Sequence, residues 1–216
     1  CFMESLATLD IPAIGYGIRY EFGIFDQVIR DGMQVEITDA WLRLGHPWEV
    51  ARPEIAFDIG YGGTVHHVAG MGGKVTAQWK PERIVKAIAY DTPIIGHATN
   101  TASLLRLWKA EGLSNFDFQS FNAGDYVGAV MERVVSENVT KVLYPNDDTA
   151  EGKRLRLQQQ YFFVAASLRD MIRLQRQKNP DAEGFERKYV VQLNDTHPSI
   201  AVAELMRLLV DEQEWE

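Results

Sequence analysis

The hydrophobic period changes near the middle of the sequence, and this change most restricts how the chain can fold. Apolar residues alternate with polar ones from Glu54 to Tyr61, where Ile55, Phe57 and Ile59 share one face of a predicted strand. From Asp125 onward apolar residues recur every three or four positions, as they do in amphipathic helices. The sequence therefore predicts an α/β protein whose second half is mainly helical.

Further strands are predicted before the change of period. The segments Thr64 to Val68 and Lys74 to Trp79 alternate on either side of a glycine-rich run that begins at Gly70, which indicates a hairpin. The segment Arg83 to Tyr90 is apolar at both parities, a pattern typical of a strand covered on both sides.

Helices are predicted at three places. Phe2, Leu6 and Leu9 have helical spacing at the start of the chain, and Asp125 is placed to cap a second helix that runs to Asn138. The clearest pattern extends from Glu151 to Lys178, and its stripe consists of Leu157, Tyr161, Val164, Leu168 and Met171.

The last part of the sequence predicts a strand, a polar turn and a helix. Lys188 to Leu193 indicates a buried strand, Asn194 to Ser199 a turn, and Ile200 to Val210 a helix. In parallel α/β sheets such turns lie at the carboxyl edge of the sheet, where ligands bind.

Composition excludes several classes of protein. The chain has 216 residues, of which 46% are hydrophobic and 24% charged, which argues against disorder. The net charge of −8 argues against nonspecific binding of nucleic acid or anionic lipid. The only cysteine, Cys1, excludes an internal disulfide and favours the cytoplasm. We expect 1–216 to be a single partial domain of a longer protein.

Common catalytic and metal-binding motifs are missing from the sequence. Gly70 to Lys74 resembles a phosphate loop, but Val75 stands where that motif requires Ser or Thr. His66 and His67 are neighbours on a predicted strand, so their side chains point to opposite faces and cannot share a metal ion. No metal site is predicted.

Two polar loops remain as candidates for a functional site. In the first, Asp148 or Thr149 could cap the long helix, but capping does not explain Asn146 and Asp147. In the second, Asp195 lies two residues before His197, close enough to orient the imidazole ring. Capping by Thr196 or Ser199 is the alternative explanation for the second loop.

Four motifs in the same order resemble the glycogen (α-glucan) phosphorylase family along essentially the whole chain. They are Gly15-Tyr16-Gly17-Ile18-Arg19-Tyr20-Glu21-Phe22-Gly23-Ile24-Phe25, Arg106-Leu107-Trp108, Tyr144-Pro145-Asn146-Asp147 and Gln192-Leu193-Asn194-Asp195-Thr196-His197-Pro198. The resemblance implies part of the N-terminal, Rossmann-like domain of a GT-B enzyme, with a hairpin-rich insertion and a long helix.

The resemblance also implies an activity. Phosphorylases of this family are cytoplasmic, allosteric homodimers that transfer a terminal α-1,4-linked glucosyl unit of glycogen or maltodextrin to inorganic phosphate, which gives glucose 1-phosphate. Their pyridoxal 5′-phosphate is held by a lysine in the C-terminal half, and their glycine-rich phosphate loop would precede Cys1. This chain alone is therefore expected to hold no cofactor and to be inactive.

Site residues follow from the resemblance position by position. Asp147 and His197 match residues of the catalytic cleft, and Asn146, Asp148, Arg156, Asp195 and His197 match positions that bind substrate. An Asp about 4 Å from a phosphate charge is opposed by roughly 4 kcal/mol at an effective dielectric constant of 20, so Asp147 must move or pair when phosphate binds.

The segment from Asp125 to Asn138 matches the helix that joins the subunits of phosphorylase dimers. Candidate contacts are Tyr126, Val130, Arg133, Asn138, Tyr144 and Pro145. The spacing of Val127, Val130 and Val134 is equally compatible with a core within one chain.

Two other functions remain open. A sugar-nucleotide glucan synthase with the same GT-B architecture would carry no pyridoxal chromophore. A noncatalytic glucan-binding or dimerisation module would use the five Trp and eight Tyr residues as sugar platforms.

Overall fold

The computed structural model describes residues 1–69, 75–113, 118–179 and 184–215. Its strands are β1 (Ile14–Ile18), β2 (Asp26–Arg30), β3 (Met33–Ile37), β4 (Val50–Tyr61), β5 (Thr64–Ala69), β6 (Val75–Lys80), β7 (Arg83–Ile95) and β8 (Ala102–Gly112). Its helices are α1 (Phe2–Thr8), α2 (Phe118–Asn122), α3 (Gly128–Glu137), α4 (Ala150–Lys178), α5 (Phe185–Lys188) and α6 (Ala201–Arg207). The α/β prediction is confirmed.

The chain forms two compact units. The first comprises Cys1–Ala56 and Lys86–Gln159, and the second comprises Phe57–Val85 and Gln160–Glu216. The boundaries fall inside β4, β7 and α4, so these three elements contribute residues to both units.

A four-stranded sheet has the order β1-β8-β7-β4. β1 pairs with β8 in parallel, with Ile14 opposite Leu104 and Ile18 opposite Trp108. On β7, Ala87 and Ala89 are fully buried, while Ile88 on the other parity is half-buried. The predicted strand at Arg83 to Tyr90 is therefore confirmed, and it is covered more completely on one face than on the other.

Two hairpins accompany the sheet. β5 and β6 pair antiparallel from Thr64 opposite Lys80 to Ala69 opposite Val75, which confirms the predicted hairpin. Its predicted glycine turn lies outside the described residues. β2 and β3 form a hairpin that the sequence analysis did not predict, and its turn places Asp31 and Gly32 at φ 52° and 76°. Asp-Gly is a common pair in such turns because both positions require positive φ.

The long helix α4 confirms the clearest sequence prediction. The Thr149 hydroxyl accepts a hydrogen bond of 3.1 Å from the Gly152 amide and so caps the helix, as one of the two predicted candidates. Val164, Leu168 and Met171 are buried, whereas Leu157 is 56% exposed. The apolar stripe is thus covered mainly in the second half of the helix. Within the described ranges, no helix has both the length and the apolar character needed to cross a membrane.

The helix α3 is shorter than the predicted helix and begins at Gly128. The Asp125 carboxylate accepts a 2.7 Å hydrogen bond from the Gly128 amide, so this side chain caps the helix as predicted. Val127, Val130 and Val134 are 64%, 38% and 44% exposed. Within the described residues these three side chains therefore do not form a buried core.

The predicted buried strand from Lys188 to Leu193 is wrong. Lys188 ends the short helix α5, and residues 189–194 have no regular secondary structure. Val190 is 98% exposed and Val191 is 46% exposed. Among the described residues no strand pairs with this segment, and an apolar run becomes a strand only where a neighbouring strand bonds its amides and carbonyls. The polar turn at 194–199 thus does not follow a strand.

Candidate functional site

The loop at residues 144–149 belongs to the first unit and has a constrained backbone. Tyr144 has φ 54°, a left-handed conformation that is uncommon for a residue with a side chain. The Asn146 side-chain oxygen accepts a 2.8 Å hydrogen bond from the Asp148 amide, while the Asp148 residue itself is exposed. Together with the Thr149 cap, these features fix the path of the loop into α4.

The Arg156 side chain on α4 contacts two residues of this loop, Asp147 and Tyr144. Its guanidinium forms an ion pair with the Asp147 carboxylate and lies 5.6 Å from the centre of the Tyr144 ring. Burial, with a smaller contribution from Tyr144, raises the pKa of the nearby Tyr20 to about 12, and the Arg156 charge opposes this shift. The ion pair is 49% exposed at Asp147 and 27% at Arg156. Pairs with this exposure contribute at most about 1 kcal/mol, so the loop can leave Arg156 at low cost.

Gly152 allows the loop to lie against the first turn of α4. A Cβ atom at this position would be 1.9 Å from the Asn146 carbonyl oxygen and 3.2 Å from the Asp147 Cα. Within a helix, Ala is more favourable than Gly by roughly 1 kcal/mol, so helix propensity does not explain the glycine. The close approach of the loop does.

We expect Gly152→Ala to displace the 144–149 loop and leave α4 intact. The backbone carbonyl of Asn146 cannot rotate away like a flexible side chain, so the loop itself must move and the Asp147–Arg156 pair must separate. Hydrogen exchange of the amides of residues 146–148 is expected to accelerate by roughly tenfold, about 1.4 kcal/mol of lost protection. Glu151→Ala, at the neighbouring exposed position, is the matched control. Equal exchange in both variants contradicts the contact.

The loop at residues 194–199 belongs to the second unit. Asp195 has φ 63°, and its carboxylate accepts hydrogen bonds from the Thr196 amide at 2.5 Å and the Thr196 hydroxyl at 3.2 Å. These bonds, with a smaller contribution from His197, lower the pKa of Asp195. The Asp195 carboxyl group is therefore ionised near neutral pH and only accepts hydrogen bonds.

His197 lies between two polar side chains of the second unit. Its Nε2 is 3.5 Å from an Asp195 carboxylate oxygen, and its Nδ1 is 3.4 Å from the side-chain nitrogen of Gln160 on α4. The sequence prediction that Asp195 faces this imidazole is confirmed. The helix α6 has no side-chain cap, so capping by Thr196 or Ser199 does not explain the loop.

Three residues at these loops were missed in the sequence analysis. Tyr20 lies within a family motif, but nothing in that motif indicates a contact with the 144–149 loop. Gln160 is one of three consecutive glutamines, and Gly152 is one of 17 glycines. Only the fold distinguishes these two positions from their neighbours.

The proposed subunit contacts lie on and next to α3. Tyr126 is 62% exposed and packs edge to face on Phe121, with ring centres 4.8 Å apart. Arg133 forms an exposed ion pair of 2.7 Å with Glu137, and Asn138 is exposed directly after the helix. Elsewhere, no group of three or more His, Cys, Asp or Glu side chains could hold a metal ion within the described parts of the chain.

Comparison with known proteins identifies the family. The carbohydrate phosphorylase family matches residues 1–216. A glycogen phosphorylase of Synechocystis sp. is 62% identical over 216 residues, which are 100% of this chain and 25% of that protein. The bovine liver form is 47% identical and the human brain form 48% identical, each over 219 residues, with 98% of this chain and 25% of the relative covered. The chain spans about a quarter of the curated relatives it matches, and it belongs to the carbohydrate phosphorylase family.

Proposed function

We propose that the whole protein is an α-1,4-glucan phosphorylase that releases glucose 1-phosphate from glycogen or maltodextrin. The 62% identity to a glycogen phosphorylase along the full length of this chain carries the proposal. In it, residues 1–216 form part of the N-terminal Rossmann-like domain of a GT-B enzyme. The protein works in the cytoplasm, and residues of the 144–149 loop and of the 194–199 loop each take part in substrate binding.

The two loops have the chemistry that this role requires. Asp147 is paired with Arg156, which compensates the negative charge that would otherwise repel phosphate. Asn146 and Asp148 lie beside this pair on the same loop. On the second loop, Asp195 and His197 provide an acceptor and a ring fixed between two polar groups, which suits the hydroxyls of a glucosyl unit.

Pyridoxal 5′-phosphate, the cofactor that the family implies, supplies a phosphate group for proton transfer when it is bound. Two cavities of the second unit, of about 400 and 430 Å³, have no lysine in their lining. They do not fit a cofactor held through a lysine. We assign the cofactor to the C-terminal half of the protein.

The proposal is tested with the protein produced from its whole gene. We expect glucose 1-phosphate to form from maltodextrin and inorganic phosphate, and the purified protein to absorb as a bound pyridoxal chromophore. Glucan elongation from a sugar nucleotide, without the chromophore, would instead identify a synthase. Binding of glycogen with neither reaction would identify a noncatalytic module.

His197→Ala in the whole protein is expected to weaken glucosyl binding. A hydrogen bond between uncharged groups contributes roughly 0.5–1.5 kcal/mol, so the inhibition constant of glucose should rise about two- to tenfold. His67→Ala is the matched control because His67 is exposed on β5, in the hairpin with β6. Equal glucose affinity in His197→Ala and the parent contradicts the assignment.

The exposed apolar residues of α3 support a homodimer. Val130, Met131 and Val134 on α3, and Val127 directly before it, are between 38% and 64% exposed, whereas Ala129 and Ser136 of this helix are buried. In the proposal this surface, with Tyr126, Arg133, Asn138, Tyr144 and Pro145 around it, packs against the same surface of a second copy, since isologous contacts are the usual form of dimers.

A further inference from the structure

The side chain of Gln160 on α4 contacts one edge of the His197 imidazole ring. Its Nε2 atom lies 3.4 Å from Nδ1 of the ring, and both residues belong to the second unit. The next residue of the helix, Tyr161, donates a 3.4 Å hydrogen bond to Glu204 on α6. The helix α4 therefore contacts both the 194–199 loop and the helix that follows it.

A carboxylate in a fixed orientation lies at the opposite edge of the ring. Oδ1 of Asp195 accepts the hydrogen bonds from the Thr196 amide and hydroxyl, while Oδ2 lies 3.5 Å from Nε2 of His197. The bonds from Thr196 lower the pKa of Asp195, so its carboxylate is ionised near neutral pH. An ionised carboxylate only accepts hydrogen bonds and so favours a proton on the ring nitrogen that faces it.

The two contacts together favour one tautomer of the neutral ring. Neutral imidazole has one N–H donor, and its other nitrogen is an acceptor. When Nε2 carries the proton towards Asp195, Nδ1 accepts from the amide group of Gln160. The bond at one ring nitrogen sets which nitrogen is protonated, so a donor at Nδ1 keeps the proton on Nε2.

The proton on Nε2 is still available to a ligand. An N–H···O hydrogen bond is typically about 2.7–3.2 Å long, and the distance of 3.5 Å to Asp195 exceeds this range. The His197 side chain is also 33% exposed. Because a hydroxyl both donates and accepts, a sugar hydroxyl can accept from Nε2–H and donate to Oδ2 of Asp195.

We propose that Gln160 is a positioning residue that fixes the orientation and tautomer of His197 for the binding of a glucosyl unit. Gln160 acts through the ring and makes no contact with the sugar. The choice of a glucosyl unit as the ligand rests on the proposed function. A ring that is already oriented loses less entropy when the sugar binds, which raises the affinity of the site.

The test measures the dissociation constant of glucose by calorimetry in the whole protein, so it does not depend on turnover. Gln160→Met keeps the length of the side chain and removes the donor, and we expect a roughly fivefold rise, the effect of losing one hydrogen bond between uncharged groups. Gln160→Glu is expected to stay within about twofold of the parent, because its carboxylate holds a protonated ring whose Nε2–H is unchanged. Gln177→Met is the matched control, since Gln177 is an exposed glutamine of the same helix.

The order of the two variants distinguishes positioning from packing. If Gln160 only fills space, the uncharged Met is tolerated and the added carboxylate is not. Parent-like affinity in Gln160→Met, or weaker binding in Gln160→Glu than in Gln160→Met, therefore overturns the inference and leaves the phosphorylase assignment intact.

A double variant tests whether Gln160 acts through His197. We expect Gln160→Met, His197→Ala to bind glucose as weakly as His197→Ala alone, and a further loss contradicts the inference. A parent protein that binds no glucose overturns it as well. Glucose binding without phosphorolysis overturns the proposed function alone, and the comparison of the variants then still decides the role of Gln160.

Discussion

Replacing Asp147 by Ala in the whole protein is expected to lower kcat for phosphorolysis by about 10- to 100-fold, the cost typical of misplacing a group at a reacting centre. Asp147 is the only residue of the 144–149 loop whose carboxylate is paired with Arg156 in the structure. Without it, the loop loses its ion pair with α4, and Arg156 keeps an uncompensated charge beside the proposed cleft.

Stability is expected to change much less than kcat. The pair is about half exposed at Asp147, and pairs of that kind contribute at most about 1 kcal/mol. A thermal unfolding midpoint close to that of the parent, together with the lower kcat, is therefore the expected result. Glu151→Ala is the control, because Glu151 is an exposed carboxylate in the first turn of the same helix.

The double variant Asp147→Ala, Arg156→Ala tests whether the two residues act together. If the pair positions the loop, the second substitution adds little to the first, and the effects on kcat are not additive. Additive effects, or phosphorolysis kinetics unchanged by Asp147→Ala, contradict the proposed role of the pair.

Local periodicity accounts for most of the correct structural predictions. The stripe of α4 and the alternation of β5 and β6 are properties of contiguous residues, and each pattern is incompatible with the other kind of element. The hairpin of β2 and β3 also had a local signal, because Asp31-Gly32 is a favoured turn pair, but this signal was overlooked.

The segment at 188–193 shows where local patterns are insufficient. Its residues have the apolar character of a buried strand, yet Val190 is almost fully exposed and no described strand pairs with it. Whether such a run becomes a strand depends on a partner that is distant in sequence. The pattern alone contains no information about that partner.

The candidate loops were located from sequence, but their contacts were not. Asn146 and Thr149 act on amides two and three residues away, and such local bonds are predictable from residue type. The Asp147–Arg156 pair and the contact of His197 with Gln160 depend on how α4 is placed against each loop. No property of Gln160 as a residue distinguishes it from the two glutamines before it.

Residues of two family motifs build the sheet, although Tyr20 of the first motif lies near the 144–149 loop. Trp108 is fully buried and stacks on Tyr16, with ring centres 6.4 Å apart. Tyr16 is also the parallel partner of Arg106, so the first and second motifs lie side by side on β1 and β8. A motif can thus identify a family while its residues have a structural role.

Arg106 leads to the second large expected effect. Its Nε and Nη2 donate hydrogen bonds of 2.8 and 2.7 Å to the two carboxylate oxygens of Asp91, and both residues are about 95% buried, with exposures of 4% and 5%. Arg106→Ala leaves Asp91 buried with a contact of 3.4 Å to Arg52, a partly exposed residue. Breaking a buried pair in this way costs about 3–5 kcal/mol.

Native-state hydrogen exchange of the β7 and β8 amides in the whole protein measures this cost, since it reports the free energy of opening of that sheet. The double variant Arg106→Met, Asp91→Val should recover most of the loss, because two apolar side chains of similar volume leave no buried charge. The contrary result is a loss of opening free energy in the double variant that equals the sum of the losses in the two single variants. That result would show that packing of the Arg106 side chain, and not its pairing with Asp91, stabilises the sheet. In that case the size and shape of the Arg106 side chain, and not its charge, explain its place in the second motif.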